Sequence, residues 1–154
     1  MASGAGVLPF DDASLPLIID RHEGFLPGEV ARVLQPGGLF LTQQVGDGYP
    51  SLAEIFKESS RQARSWNLGM ARHQFEQVGL EIQRAQETHA LTEFFDVGAV
   101  VYYLRSIPWI VPGFGPQRHL GALRGVHEHI ETVGSLGVRE YLFYLEARKP
   151  TARD

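Results

Sequence analysis

The stretch LPLIIDRHEGFLPGEVARVLQPGGLFLTQQV, residues 15–45, decides the fold of this chain. Its first part, residues 15–20, is apolar without alternation and rich in isoleucine, which is typical of a strand buried on both faces of a parallel sheet. Residues 26–35 have helical spacing, and a Pro-Gly-Gly sequence at 36–38 stops this helix. Residues 38–45 predict a second strand. Because a helix joins the two strands, the stretch indicates an α/β fold.

The rest of the chain continues the alternation of helices and strands. Apolar spacing predicts helices at 51–66, 69–78, 97–104 and 119–133 and strands at 80–92 and 138–147. Ser51 and Glu54 fit a capping box, and Asp96 is placed to cap the helix that follows it. The residues expected on one face of the last helix are Leu120, Leu123, His127 and Ile130. The order of elements predicts a single α/β domain over residues 1–150 and a polar tail at 151–154.

Composition excludes several classes of function. The 154 residues carry a net charge of -4, which argues against an electrostatic nucleic-acid surface. There is no cysteine, so disulfides and thiolate zinc sites are excluded. His127 and His129 point to different helix faces, and no metal site is expected. The longest apolar runs are too short to span a bilayer and no signal peptide is visible, so we expect a cytoplasmic protein with no membrane partner.

Two phrases on either side of the first predicted helix resemble one enzyme family. LPFDDASL at residues 8–15 runs into IIDRHE at 18–23, and EVARVLQPGGLF follows at 29–40. In this order they resemble class I methyltransferases that depend on S-adenosylmethionine (SAM), in particular the type 11 subgroup. The resemblance implies a Rossmann-like sheet of strand order 3-2-1-4-5-7-6, with strand seven antiparallel. This chain would supply strands 4, 5, 7 and 6, flanked by helices, as the C-terminal half of that fold.

The chain lacks the residues with which members of the family bind the cofactor. Family members hold SAM with a glycine-rich turn after their first strand and an acidic residue on the next strand. Here the only early glycines are Gly4 and Gly6, ahead of any predicted strand. The resemblance implies a SAM-dependent methyltransferase, and the missing turn implies that the isolated chain is weak or inactive. The acidic charge and the lack of a basic aromatic groove favour a small-molecule acceptor, which is unidentified. The alternative is a non-catalytic remnant or assembly module.

Candidate site residues lie where the two early strands end. By resemblance, the strand end with Asp20 and Arg21 would face the methionine end of SAM or the acceptor. His22 beside Glu23 would act as a general base toward the acceptor. The alternative for the same residues is that the carboxylates cap the turn and the imidazole is merely exposed. By resemblance, Ala5 and Gly6 belong to the segment that packs against the adenine ring.

Four further residues are candidates for the acceptor pocket. Gln43 and Gln44 end the second strand, and ligands of open α/β sheets bind beyond the carboxyl ends of the strands. Trp109 and Phe114 bound an apolar loop that could line the pocket or pin the loop to the core.

The strand at residues 15–20 (Leu15 to Asp20) is also expected to have a partner. In the strand order that the resemblance implies, this strand becomes an edge of the sheet. Apolar edges pair with other chains or aggregate. We therefore expect a second copy of the chain, a separate N-terminal partner, or the chain's own residues 1–14 to cover it.

Overall fold

A computed structural model of the chain describes residues 6–46, 52–56 and 66–151. The strands are β1 (Leu15–Arg21), β2 (Leu34–Gly46), β3 (Glu81–Phe94) and β4 (Leu136–Arg148). The helices are α1 (Pro27–Val33), α2 (Leu52–Ile55), α3 (Leu68–Gln77), α4 (Val97–Ser106) and α5 (Leu120–Val133). The predicted order of elements is confirmed over the described residues. Of the predicted helix at 51–66 only the part from Leu52 to Ile55 is described as helical, and the capping role of Ser51 lies outside the described residues.

The strands form one sheet in the order β1-β2-β4-β3. β1 and β2 are parallel, and β4 is antiparallel to β2. The parallel pair is joined through α1, since parallel neighbours need a crossover connection. This order is the one that strands 4, 5, 7 and 6 have in the sheet implied by the resemblance, so the predicted fold class is confirmed.

The described residues form two compact units. The first contains residues 6–46, 66–88 and 141–151, and the second contains 52–56 and 89–140. Each unit has its own cluster of buried apolar side chains. The prediction of a single domain over residues 1–150 stays a prediction.

The core of the first unit lies on one face of the sheet. Alternate residues of β4 are buried there, as the sequence predicted: Tyr141, Phe143, Leu145 and Ala147. Val30 of α1 and Phe75 of α3 belong to the same cluster as Phe40 of β2. Both described helices of this unit therefore cover the same face.

The opposite face of β1 and β2 is open to solvent in the described part of the chain. Leu17 is 46% exposed and Ile19 is 71% exposed. The prediction that residues 15–20 are buried on both faces is therefore wrong. Only Ile18 of this strand packs against the apolar cluster, because no described helix of the first unit lies over the other face. We call Leu17, Ile19, Leu39, Leu41, Gln43 and Val45 the open face.

α1 ends earlier than the sequence predicted. The helix stops at Val33, and β2 begins at Leu34, before the Pro-Gly-Gly sequence. The Lys149 ammonium donates to the carbonyls of Ala31 and Leu34, both at 2.7 Å, and so satisfies carbonyls at the helix end. Gln35 precedes Pro36, and the residue before a proline disfavours the helical conformation.

The helices of the second unit begin and pack through identifiable side chains. Asp96 caps α4, because its carboxylate accepts from the Ala99 N–H at 2.8 Å, as predicted. The buried residues of α5 are Leu123, Val126 and Ile130. Leu120 and His127 were expected on that face but are exposed. The buried face of the helix is formed by Leu123 and the residues three and seven positions after it. No helix among the described residues is both long and apolar enough to cross a membrane.

Candidate functional site

Asp20 is the centre of a hydrogen-bond cluster at the carboxyl ends of β1 and β2. It lies in register with Thr42 on the neighbouring strand, so the two side chains share a face. One Asp20 oxygen, Oδ2, accepts from Thr42 Oγ1 at 3.0 Å and from Gln44 Nε2 at 2.7 Å. Gln44 Nε2 also lies 2.8 Å from Thr42 Oγ1. Two predicted site residues, Asp20 and Gln44, are thus in direct contact.

Burial decides the electrostatics of this cluster. Thr42 is 1% exposed and Gln44 is 6% exposed, so Asp20 faces two buried neutral donors. Loss of solvent raises the pKa of Asp20, and the nearby Glu23 carboxylate raises it further. The hydrogen bonds from Thr42, from the Glu23 backbone N–H and from Gln44 oppose this rise. Asp20 is therefore a carboxylate that takes up a proton more readily than an exposed aspartate.

His22 follows the cluster in an unusual backbone conformation. Its φ is 61°, in the left-handed region that non-glycine residues seldom occupy. Its backbone N–H donates to the Gln43 carbonyl at 2.9 Å, which holds the turn against β2. The imidazole is exposed and makes no hydrogen bond to the residues that the structure describes. Left-handed residues of this kind concentrate at functional sites.

Two further residues of this turn, Arg21 and Glu23, have exposed side chains, and Glu23 contributes a backbone carbonyl to the cluster. Glu23 is exposed, and its carbonyl accepts from Gln44 Nε2 at 3.2 Å. Arg21 is exposed and lies in register with Gln43. The turn therefore offers His22, Glu23 and Arg21 to solvent beside a carboxylate that the fold holds in place.

Gln43 lies on the other side of β2 from Gln44. It lines an open groove of about 510 Å³ in the first unit, a volume within the range of small-molecule sites. The other residues of the groove come from β3 and β4: Gln86, Glu87, Thr88, Leu142, Phe143 and Tyr144. The two glutamines predicted for one pocket therefore belong to two places, because successive strand residues face opposite sides.

The two predicted pocket residues of the second unit differ in exposure. Trp109 is 60% exposed. Phe114 stacks on His119, with ring centroids 5.3 Å apart, and meets Phe56 edge-on at 5.6 Å. Phe114 thus pins its loop to the core of this unit, and the acceptor role of Trp109 stays a prediction.

The N-terminal candidates are only partly described. Ala5 lies outside the described residues, and Gly6 has open space around its Cα. No group of three or more acidic or histidine side chains in the described part of the chain could hold a metal ion. Sequence reasoning missed Thr42, although a polar residue two positions before Gln44 on a buried strand was a usable signal.

The chain is similar to known proteins in structure, whereas comparisons of its sequence find no match. No protein-family model and no curated protein matches the chain. A candidate methyltransferase from Bacillus halodurans has a similar solved structure, with a TM-score of 0.61 and 18% identity over 94% of this chain and 68% of that one. The chain has a methyltransferase fold. The YcgJ protein from Bacillus subtilis is also similar, with a TM-score of 0.55 and 19% identity over 94% of this chain and 68% of that one.

The shared fold agrees with the resemblance read from the two sequence phrases. The four-stranded sheet is the part of a class I methyltransferase fold that those phrases predicted, and this prediction is confirmed. This methyltransferase-like chain spans about two thirds of each of the two solved chains.

Proposed function

We propose that this chain forms the acceptor side of a SAM-dependent methyltransferase that acts on a small molecule. The observation that carries the proposal is the methyltransferase fold with an anchored carboxylate, Asp20, where its two parallel strands end. Ligands of open α/β sheets bind beyond these strand ends.

The residues of this chain fit one side of SAM. Asp20 is held by Thr42 and Gln44, and its negative charge suits the ammonium or sulfonium end of the cofactor. The glycine-rich turn and the ribose-binding acid of the family do not occur among these 154 residues. The fit is therefore partial, and SAM would need further binding groups to be held tightly.

The chain's own part in catalysis would be orientation and proton handling. When bound, SAM supplies an electrophilic methyl group, and transfer is an in-line displacement in which positioning does most of the work. The exposed His22 imidazole, with Glu23 beside it, would accept a proton from an acceptor hydroxyl or amine.

Titration of the purified chain with SAM and with S-adenosylhomocysteine tests the proposal. We expect weak binding, with dissociation constants of about 0.1–1 mM because the glycine-rich turn is missing, and we expect Asp20→Asn to weaken SAM binding about tenfold because it removes the charge and keeps the shape. Asp11→Asn is the matched control, since Asp11 is exposed in the same unit. Absence of heat with millimolar SAM would contradict the proposal.

A second candidate function is assembly through the β1 edge, and the exposure of Ile19 favours it. β1 has β2 as its one neighbour in the described sheet. The His22 N–H donates to the Gln43 carbonyl of β2. Because the backbone polar groups of successive strand residues point alternately to the two sides of the strand, those of Leu17, Ile19 and Arg21 point away from β2. Residues 6–14 form no strand beside this edge, and residues 1–5 lie outside the described part. A second copy or an N-terminal partner would supply the missing neighbour.

Replacing Ile19 by lysine tests assembly. We expect the wild-type chain to elute as a dimer in size-exclusion chromatography with light scattering, and Ile19→Lys to shift it to monomer, because a charge disfavours edge pairing. Val133→Lys, at an exposed apolar position of the second unit, should leave the mass unchanged. A wild-type chain that is a stable monomer at every concentration would contradict self-assembly.

A further inference from the structure

The outer face of α4, in the second unit, carries an exposed aromatic side chain beside an exposed cation. The exposed positions follow the helical repeat from Gly98 to Tyr102 and Arg105. Tyr102 is 75% exposed, whereas Val100 and Leu104 on the opposite face are fully buried in the apolar cluster of this unit. The face that carries Tyr102 therefore has no apolar cover within the described chain.

The chain keeps winding past the end of α4 and presents a second aromatic ring. The Ile107 N–H donates to the Tyr103 carbonyl at 3.0 Å, and the Ile110 N–H donates to the Ile107 carbonyl at 3.1 Å. Trp109 thus lies about one turn beyond the helix, and it is exposed. Its place in the sequence continues the three- and four-residue spacing of the outer face. We call three residues the aromatic surface: Tyr102, Arg105 and Trp109.

Contacts on the inner side hold the aromatic surface in place. The Tyr103 hydroxyl donates to the Glu140 carboxylate at 2.6 Å, and the Tyr103 ring meets Phe94 edge-on with centroids 5.3 Å apart. After Trp109 the chain returns to the core, because Val111 is fully buried. The helix is therefore fixed against β3 and β4, and the exposed rings are presented by an anchored part of the fold.

The segment that contains this surface is basic in an acidic protein. Residues 97–127 contain three arginines and no aspartate or glutamate, although the whole chain has a net charge of -4. Arg105 is exposed and forms no ion pair or hydrogen bond with any residue that the structure describes. Arg118 is also exposed. An anionic partner is therefore the complement of this surface.

We propose that the aromatic surface binds the headgroup region of an anionic membrane. Tryptophan and tyrosine are enriched at that depth, because the ring is buried against acyl chains while the N–H or hydroxyl stays with the polar groups. Arginine beside them can bury its stem and keep its charge at the lipid phosphates. The surface is the outside of a helix, whereas small-molecule sites are concave, so a broad and flat partner fits it better.

Binding of this kind needs no membrane-spanning helix, since the side chains enter only the interface. It differs from the expectation of no membrane partner, which rested on the shortness of the apolar runs and the lack of a visible signal peptide. It is also independent of SAM binding, because the surface shares no residue with the Asp20 cluster.

Sedimentation of the purified chain with lipid vesicles tests the proposal. One set of vesicles is phosphatidylcholine alone, and the other contains about 30% phosphatidylserine. We expect the chain to sediment with the anionic vesicles and less with the neutral ones, and added salt should release it. Trp109→Ser should bind about tenfold more weakly because the buried ring is lost. Arg105→Gln should bind the anionic vesicles about fivefold more weakly and the neutral ones unchanged.

Three variants serve as controls. Val133→Ser removes an exposed apolar side chain elsewhere in the second unit, and Arg72→Gln removes one positive charge from α3 of the first unit. Both should bind as the wild type does. Trp109→Phe keeps an aromatic ring and should retain most of the binding that Trp109→Ser loses, which separates loss of the ring from disturbance of the loop.

Three outcomes would overturn the proposal. The first is a wild-type chain that does not sediment with anionic vesicles. The second is wild-type binding by both Trp109→Ser and Arg105→Gln, which would place the lipid contact elsewhere on the chain. The third is a lipid-free dimer that Trp109→Ser converts to monomer in light scattering, which would assign the aromatic surface to a second copy of the chain.

Discussion

Phe40→Ala is expected to lower the free energy of unfolding of the first unit by about 3–5 kcal/mol. Phe40 is fully buried on the helix-covered face of β2. Its ring meets Phe25 edge-on at 5.3 Å and Phe75 at 5.1 Å, so truncation removes two aromatic contacts and leaves a cavity. Because whole domains are stable by only about 5–15 kcal/mol, this loss is a large part of the total stability.

Urea denaturation followed by tryptophan fluorescence measures this loss. Leu41→Ala is the matched control, since Leu41 is the next residue of the same strand and lies on the open face. We expect the control to cost less than half as much, because its side chain is partly solvated already. Equal losses in the two variants would mean that the open face is covered in solution.

Gly46→Ala is expected to cost about 1–3 kcal/mol by overpacking. A Cβ at Gly46 would overlap the Tyr141 ring and lie 2.8 Å from the Trp66 carbonyl oxygen. The ring has little freedom to retreat, because the Tyr141 hydroxyl donates to Glu87 at 2.5 Å and accepts from the Leu68 N–H at 3.3 Å. Gly46 therefore permits the close approach of β2 and β4 at the carboxyl edge of the sheet.

The thermal midpoint of Gly46→Ala, compared with that of Gly28→Ala, checks this expectation. Gly28 lies in α1 of the same unit and has open space around its Cα, so alanine there should be neutral or slightly stabilising. A midpoint for Gly46→Ala equal to that of Gly28→Ala would show that the ring and the backbone can rearrange at little cost.

Strong local patterns in the sequence predicted most of the elements. β4 alternates apolar and polar residues from Tyr141 to Ala147, and the structure buries the apolar ones. The cap of α4 needs only Asp96 and a backbone N–H three residues away. The two phrases that resemble methyltransferases also turn out to be in contact, because Glu29 and Arg32 of the second bind Leu8 of the first.

The candidate site could be predicted only in part. Asp20 and Gln44 were placed at neighbouring strand ends, and the structure joins them directly. Thr42 carried a local signal as a polar residue on a buried strand, but its contact with Asp20 depends on the register of β1 against β2, which no local pattern specifies. Gln43 and Gln44 were predicted for one pocket, whereas strand alternation puts their side chains on opposite sides of β2. Their role toward an acceptor stays a prediction.

The sequence by itself determined the strand-helix-strand unit, the chain order of the elements and the family resemblance, because these depend on residues a few positions apart. Tertiary structure decided which face of β1 is covered, which donors surround Asp20 and what Arg32 holds. Each of these depends on groups about twenty or more residues apart that meet only when the sheet forms. The exposure of Ile19 is the clearest case. Its apolar run indicates burial, but the described helices of the first unit cover one face of the sheet alone.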